Sequence, residues 1–314
     1  MKKILLILLC LPLIGFGQLT MIPDANFEQE LINLGYDNNL NGSVYTASID
    51  TVTTLNLYNQ NISNLTGIED FTNLTYLVCG NNPFTNLDVS QNTALNTLFC
   101  QSNQLTSLNV SGATALEELY CNNNNQLTSL NVSGANALEY LDCNNNNQLT
   151  SLDVSGATAL TNLSCHNNQL TSLDITQNYL LENLFCENNN LTNIDLSSQT
   201  SFINLYLSGN NLSSLDLSHL TYSLFELTLF GNSNLDCIQV NMLNWWNANF
   251  SWGIDTSFQY FSTNCDGTTD IQEHSKNKEL IKITDLLGRE TNQINQTLFF
   301  IYDDGTVEKR IIIE

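Results

Sequence analysis

The stretch LTSLNVSGANALEYLDCNNNNQ occupies residues 127–148 and carries one cysteine, Cys143, among leucines and asparagines. Nearly the same words stand on both sides of it. Aligned on Cys143, the chain reads LTYLVCGNNPF (74–84), LNTLFCQSNQL (95–105), LEELYCNNNNQL (116–127) and LEYLDCNNNNQL (138–149). It continues with LTNLSCHNNQL (160–170), LENLFCENNNL (181–191), FINLYLSGNNL (202–212) and LFELTLFGNSNL (224–235). A degenerate copy, VTTLNLYNQNI (52–62), precedes them. The third apolar position falls at Leu57, Cys79, Cys100, Cys121, Cys143, Cys165, Cys186, Leu207 and Leu229, in steps of 21 or 22 residues. Nine copies at that period indicate a repeat architecture in which each unit buries its apolar face against its neighbours.

In LxxLxC the second leucine and the cysteine alternate with outward positions, as a short strand requires. The cysteine therefore points into the core, once per repeat. Leu57, Leu207 and Leu229 occupy the same slot. A slot that accepts leucine needs volume and apolarity, not thiol chemistry. No CxxC pair and no adjacent histidine accompany the column, so a metal centre lacks its ligands. Stacked strands about 4.8 Å apart leave disulfides within reach, but parallel Cβ vectors in register argue against them. The six cysteines are expected to be core thiols, with no metal and no cofactor.

The pattern LxxLxLxxNxL at this period resembles the leucine-rich repeat, over residues 52–235. The resemblance implies a solenoid of nine repeats built mostly from short parallel strands, with few helices. It also implies that the asparagine three residues after the cysteine slot bonds free backbone groups where the strand turns. Asn82, Asn103, Asn124, Asn168, Asn189, Asn210 and Asn232 hold that position. In the second half of each repeat, exemplified by Leu152 and Val154, the apolar residues form the opposite wall. Asp88, Asp153, Asp174, Asp195 and Asp216, with Asn109 and Asn131, form a column there. Turn capping is the expected role, and a calcium ladder is the alternative.

Caps are expected at both ends of a solenoid. IPDANFEQELINLG (22–35) reads as a short helix with Phe27, Leu31 and Leu34 on one face and Gly35 as its stop. With residues 18–51 it resembles the N-terminal cap of internalin-like secreted bacterial proteins. DNNLNG (37–42) has calcium-loop spacing, but Ser48 stands where the loop would need Glu, so a polar turn is expected. Residues 236–269 break the repeat and form the second cap. Cys237 and Cys265 lie outside the column in a chain read as exported, and a disulfide between them is expected. Trp245, Trp246 and Trp252 are expected to cover the last repeat, with a sugar platform as the alternative.

The ends of the chain concern export. Met1-Lys2-Lys3, the apolar run Ile4 to Leu13 and Gly15-Phe16-Gly17 read as a secretory signal peptide over residues 1–17. A lipid anchor at Cys10 is the alternative, although Ile7-Leu8-Leu9 lacks the small residue such a site wants. No other run is long enough to span a membrane. Residues 270–314 change composition, with strand-like runs at 280–284, 297–302 and 306–313 and a turn signal at Asp304-Gly305. ITDLLGRE and FFIYDDGTVEKR there resemble the C-terminal sorting domain of the type IX secretion system of Bacteroidota. The resemblance implies transport across the outer membrane by that machinery, followed by removal of the tail. A small independent β module is the alternative. The expected location is extracellular or on the outer-membrane surface.

Residues 18–269 contain 22 of the 31 acidic residues and no lysine or arginine. Such a surface repels nucleic acid and anionic lipid and favours cationic or uncharged partners. Catalysis finds no support. The three histidines, His166, His219 and His274, are scattered, and no HExxH, GxSxG or phosphate loop occurs. Outward strand positions are richer in interest. Tyr76, Phe99, Tyr120, Tyr140, Asp142, His166, Phe185 and Tyr206 fall on the concave face and are the candidate ligand-binding residues. Exposed rings among carboxylates suit recognition of a protein with a basic rim, or stacking on a surface glycan. Cross-strand packing that only stiffens the sheet is the plainer alternative for any one ring. A structural surface or matrix role is the third class.

Overall fold

Each repeat closes one coil of a solenoid, and we number the coils 1–9 from Leu57 to Leu229. The computed structural model describes residues 17–220, 224–250, 252–256, 259–265 and the strands 280–284, 297–302 and 307–311. The chain divides into two units, Met1–Cys265 and Asp266–Glu314. The signal-peptide reading and Cys10 lie outside the described residues, as do most of the ITDLLGRE motif and the turn at Asp304-Gly305.

Coil strands are three residues long and pair in parallel, in strict sequence order, from Thr54–Asn56 through Tyr140–Asp142 to Glu226–Thr228. Their register places leucine on leucine, as in Leu119, Leu141 and Leu163. Those leucines and all six column cysteines have no solvent exposure. Burial pushes the thiol pKa of Cys79, Cys100, Cys121 and Cys143 upward, so they remain protonated and apolar. The opposite wall has shorter runs of parallel pairing, at 86–88 with 107–109, at 129–131 with 151–153, and at 215–216 with 237–239 and 260–262.

Two residues turn each coil away from its strand. The second residue after the cysteine slot is left-handed, at Asn59, Asn81, Ser102, Asn123, Asn145, Asn167 and Asn188, and then at Gly209 and Gly231. Asparagine and glycine are the residues that tolerate this region at least cost. The next asparagine is buried and its amide joins two coils. Asn124 Nδ2 donates to Cys100 O at 3.1 Å and Cys121 O at 2.9 Å. Asn146 completes this ladder in coil 5, with Nδ2 on Cys143 O at 2.9 Å. Repeats of unequal length differ at this turn. In coil 3 the next leucine, Leu105, donates its N–H to Asn124 Oδ1 of the following coil at 3.2 Å. Coils 4 and 5 have one more residue here, and Leu127 and Leu149 instead donate to the carbonyls of Asn124 and Asn146 at 2.9 and 2.7 Å.

The acidic column on the opposite wall caps turns. The side-chain oxygens of Asp88, Asn109, Asn131, Asp153, Asp174, Asp195 and Asp216 each accept the N–H two residues on, at 2.8–3.1 Å. This is the Asx-turn geometry. Gly112 and Gly156 follow in the next turn, and a Cβ on either would strike the backbone carbonyl of Ser90 or Ser133 in the preceding coil.

The N-terminal cap pairs Leu19–Met21 antiparallel with Ser43–Tyr45 and sets a helix, Ala25–Asn33, over coil 1. Asp24 caps the helix through Asn26 N and Phe27 N, and its second oxygen accepts Ser63 N, Ser63 Oγ and Asn64 N from the coil. Phe27 and Leu31 are buried as expected, but Leu34 is exposed. The helix ends before Leu34 can turn inward, and Glu28 is buried in addition to the apolar residues. Glu28 Oε1 accepts the N–H groups of Asn41, Gly42 and Ser43 at 2.8, 2.7 and 3.1 Å. The 37–42 loop therefore turns its backbone donors toward a carboxylate, an arrangement opposite to that of a calcium loop.

At the other end, helix Leu243–Phe250 places Trp246 on the core, against Trp245, Phe250 and Phe261. Trp252 departs from the expected cover. It is exposed, with Nε1 on Asn249 O at 2.7 Å. A disulfide joins Cys237 and Cys265. Gln259 Nε2 donates to Leu229 O and Asn232 O, both at 3.3 Å, and ends the asparagine ladder with a different side chain. The second unit contains a three-stranded antiparallel sheet, Leu280–Thr284, Thr297–Tyr302 and Val307–Ile311.

Candidate binding face

On each coil strand the residues flanking the buried leucine and the residue after the cysteine point outward. They form three columns on the nine-stranded coil sheet, the face expected to be concave. Pairing in register brings column neighbours within reach of one another across about 4.8 Å.

The candidate aromatic residues meet as two stacks. Tyr76, Phe99, Tyr120 and Tyr140 form the first, with successive centroid distances of 5.7, 4.3 and 5.0 Å. Phe99 and Tyr120 lie only 5° from parallel, so each covers a face of the other. Phe185 and Tyr206 form the second stack, at 5.0 Å and 23°. Such pairs contribute roughly 0.5–1.5 kcal/mol each beyond the area they bury. Stiffening of the sheet is thus one consequence of these rings, while Tyr76 is exposed and the other five are partly so.

Coils 5 and 6 interrupt the ridge. Asp142 and Ser164 stand where coils 4 and 7 carry Tyr120 and Phe185. Asp142 Oδ1 accepts from Asn144 N at 3.2 Å and Asn144 Nδ2 at 2.5 Å. Ser164 Oγ and His166 Nδ1 share a hydrogen bond of 3.1 Å. Burial raises the pKa of Asp142, against the hydrogen bond from Asn144 N and the charge of His166. It also raises that of Glu187, the neighbour of His166 in the third column. Glu187 Oε2 and Ser208 Oγ, in adjacent coils, are buried and lack a hydrogen-bond partner.

The phenols are held as donors. Burial, then the charge of Glu118, pushes Tyr120 up to about 12. Burial and the hydrogen bond to Glu226 push Tyr206 up to about 12. Beside them Asn162, Asn183 and Asn204 link side chain to side chain at 2.7 Å per step. That amide row, Glu187 and the exposed pair Ile203 and Phe225 at the sheet margin were not among the expected binding residues. The row was visible in principle as three asparagines at one repeat position. Thr97 of the first column is buried rather than open, with its hydroxyl donating to Asn96 Oδ1 at 2.9 Å.

His219 Nε2 donates to Gln199 O, 3.0 Å away, in the turn after Leu215–Asp216 and apart from the columns of the coil strands. His274 lies outside the described residues. Among the described residues no group of three His, Cys, Asp or Glu side chains is arranged to hold a metal ion. Among them, too, no helix is long and apolar enough to cross a membrane.

No family model matches the chain. A segment of 71 residues is 38% identical to Internalin J of Listeria monocytogenes serotype 4b (strain F2365), which is 23% of this chain and 8% of that protein. The chain therefore spans under a tenth of the curated relative it matches. Among solved structures, internalin C2 of L. monocytogenes is 25% identical, with a TM-score of 0.53, over 67% of this chain and 94% of that one. The functional domain of InlJ from L. monocytogenes, which includes a cysteine ladder, is 32% identical over 71% of this chain and 57% of that one, with a TM-score of 0.39. Parallel coil strands, few helices and the likeness to internalin C2 make the fold a leucine-rich repeat solenoid of about nine coils.

Proposed function

We propose that this protein is an exported, non-catalytic recognition module that binds a partner protein through the concave face of its coils. The observation that carries this reading is the pair of aromatic stacks on that face, in a region with 22 acidic and no basic side chains. Aromatic rings beside carboxylates that have no lysine or arginine partner match a segment with aromatic or aliphatic anchors and a basic rim. The similarity to internalins supports a repeat that binds protein. Adhesion at a cell surface is the setting that the signal-like N-terminus and the sorting-like tail favour.

A glycan platform is the second reading, and ring geometry weighs against it. Sugar rings stack on open aromatic faces. Phe99 and Tyr120 each cover a face of the other, so those faces are closed to a sugar ring.

Peptide-display selection on the immobilised full chain tests the face. Selected peptides should be basic, weaken in high salt, and lose binding on Phe99→Ala but not on Tyr179→Ala, a change at an exposed ring outside the concave columns. Binding that ignores salt and yields to free sugars would replace protein recognition with glycan recognition. Export has its own assay, the intact mass of protein recovered from medium and cell surface. A species that begins at Gln18 and lacks residues 270–314 supports the signal and type IX readings. Intracellular full-length chain overturns them.

A further inference from the structure

The loop between helix Ala25–Asn33 and strand Ser43–Tyr45 sets one asparagine among reactive neighbours. Asn41 is exposed and is followed by Gly42, whose φ is 82°. The side-chain oxygen of Asn41 accepts Ser43 N at 3.0 Å and Ser43 Oγ at 2.8 Å. The side chain is therefore folded back across the 41–42 peptide, as in an Asx turn, with its carbonyl polarised by two donors. The N–H inside that fold belongs to Gly42, and it donates to Glu28 Oε1 at 2.7 Å. Glu28 is 2% exposed and comes from the helix.

These contacts supply the parts of an acyl transfer within one residue pair. Gly42 N is the nucleophile, and no Cβ on residue 42 crowds its approach. Its proton lies in the peptide plane, directed at Glu28. Attack on Asn41 Cγ uses the face of the amide perpendicular to that plane, so the hydrogen bond leaves the path open. Ser43 N and Ser43 Oγ stand where negative charge develops on Oδ1. A carboxylate that takes the proton as general base becomes neutral as that charge appears.

We propose that Asn41 is a self-modifying residue, converted in the folded protein to aspartate and isoaspartate. The bond from Gly42 N to Asn41 Cγ forms as the Gly42 proton passes to Glu28. The Cγ–Nδ2 bond then breaks, Glu28 returns the proton to Nδ2, and ammonia leaves a cyclic imide. Water opens the imide at either carbonyl. The loop gains a negative charge beside Glu28, because Ser43 N is already shared between Asn41 Oδ1 at 3.0 Å and Glu28 Oε1 at 3.1 Å. Two carboxylates on one donor repel each other, and the conversion loosens the loop that closes the N-terminal cap.

The chain carries its own control. Asn64 Oδ1 accepts Thr66 N and Thr66 Oγ1, both at 2.8 Å, but the residue between them is Leu65. Full-length protein would be incubated at neutral pH, folded and in guanidinium chloride, then cut after Glu30 and Glu69. That fragment holds both Asn41 and Asn64, and fragmentation mass spectrometry with isoaspartate labelling reads each site over time. Conversion at Asn41 is expected, faster in folded than in denatured protein, and ahead of Asn64. Glu28→Gln keeps an acceptor oxygen but not the base, and should slow folded-state conversion at least about tenfold. Ser43→Ala removes one of the two donors on Oδ1 and should also slow it, which decides the matter if Glu28→Gln does not fold. Folded protein that converts no faster than denatured protein, or a folded variant of either kind that converts at the wild-type rate, would overturn the proposal.

Discussion

The side-chain oxygen of Asn168 accepts the backbone N–H of Asn146 at 2.9 Å, while its amide donates to Cys143 O at 3.1 Å and Cys165 O at 2.8 Å. One residue thus satisfies buried groups in two coils. Asn168→Ala would leave the buried Asn146 N–H without its partner, while Cys143 O keeps Asn146 Nδ2 and Cys165 O keeps Asn189 Nδ2. One buried donor left unpaired costs about 1–3 kcal/mol, so a loss of about 2 kcal/mol is expected. Denaturant unfolding measures it. A loss below about 0.5 kcal/mol would show that water or a neighbour takes over the role.

The column thiols should be silent until the solenoid opens. Burial holds Cys100, Cys121 and Cys143 protonated, and a protonated, inaccessible thiol does not react. These six coil cysteines, free among the described residues, should therefore resist alkylation in native protein and react in denatured protein. Cys143→Val should be tolerated within about 1 kcal/mol, as a swap that keeps apolarity and similar volume. Cys143→Ser, which buries a hydroxyl, should cost more.

Gly156 sits against the carbonyl of Ser133 in the coil before it. Its φ is not positive, so closeness rather than backbone angle demands glycine there. Gly156→Ala forces the two coils apart or bends the turn, and should lower stability by about 2 kcal/mol, in the range of overpacking. Gly35→Ala is the contrast, with a φ of 84° and open space around the Cβ. It should show only the smaller left-handed penalty of about 1 kcal/mol.

Asp24 ties the first helix to coil 1. Burial pushes its carboxyl pKa up, but hydrogen bonds from Ser63, Phe27 and Asn26 outweigh that and hold it below the ordinary value of 3.8. A depressed folded value means that the stabilisation is fully present above 3.8 and fades as pH falls through the folded pKa. Asp24→Ala should cost about 2 kcal/mol at neutral pH, as a capping loss plus a lost tertiary link. The deficit relative to wild type should shrink in strong acid. Thermal melts of the two proteins between neutral and strongly acidic pH provide the comparison.

The repeat was legible because each of its positions has a single physical task. Leucine at 141, cysteine at 143 and asparagine at 146 are dictated by an inward side, a limited volume and an exposed carbonyl. Repetition made the leucine and third apolar slots visible nine times, and the ladder asparagine in every copy but the first. The caps occur once and were read less well. Leu34 looked like the third residue of an apolar helix face, yet the helix stops at Asn33 and the neighbouring acid Glu28 is buried to hold a loop. Gln259 carries no sign in the sequence that it finishes a ladder made of asparagines. The eight candidate binding residues do share one face. The separation of the six aromatic residues among them into two stacks depends on which coil each ring comes from and how it tilts, and column reading does not contain tilt.

The turn after the ladder asparagine has a genetic consequence. It takes either two or three residues to reach the next leucine, and the strands on both sides keep their register. Residues 105–126, 127–148 and 149–169 are close copies of one another. Misaligned recombination between the gene segments encoding them would add or remove whole coils, and the product would still stack leucine on leucine. The length of the concave face is then a trait that can change in a single event, by one strand at a time, while both caps continue to fit.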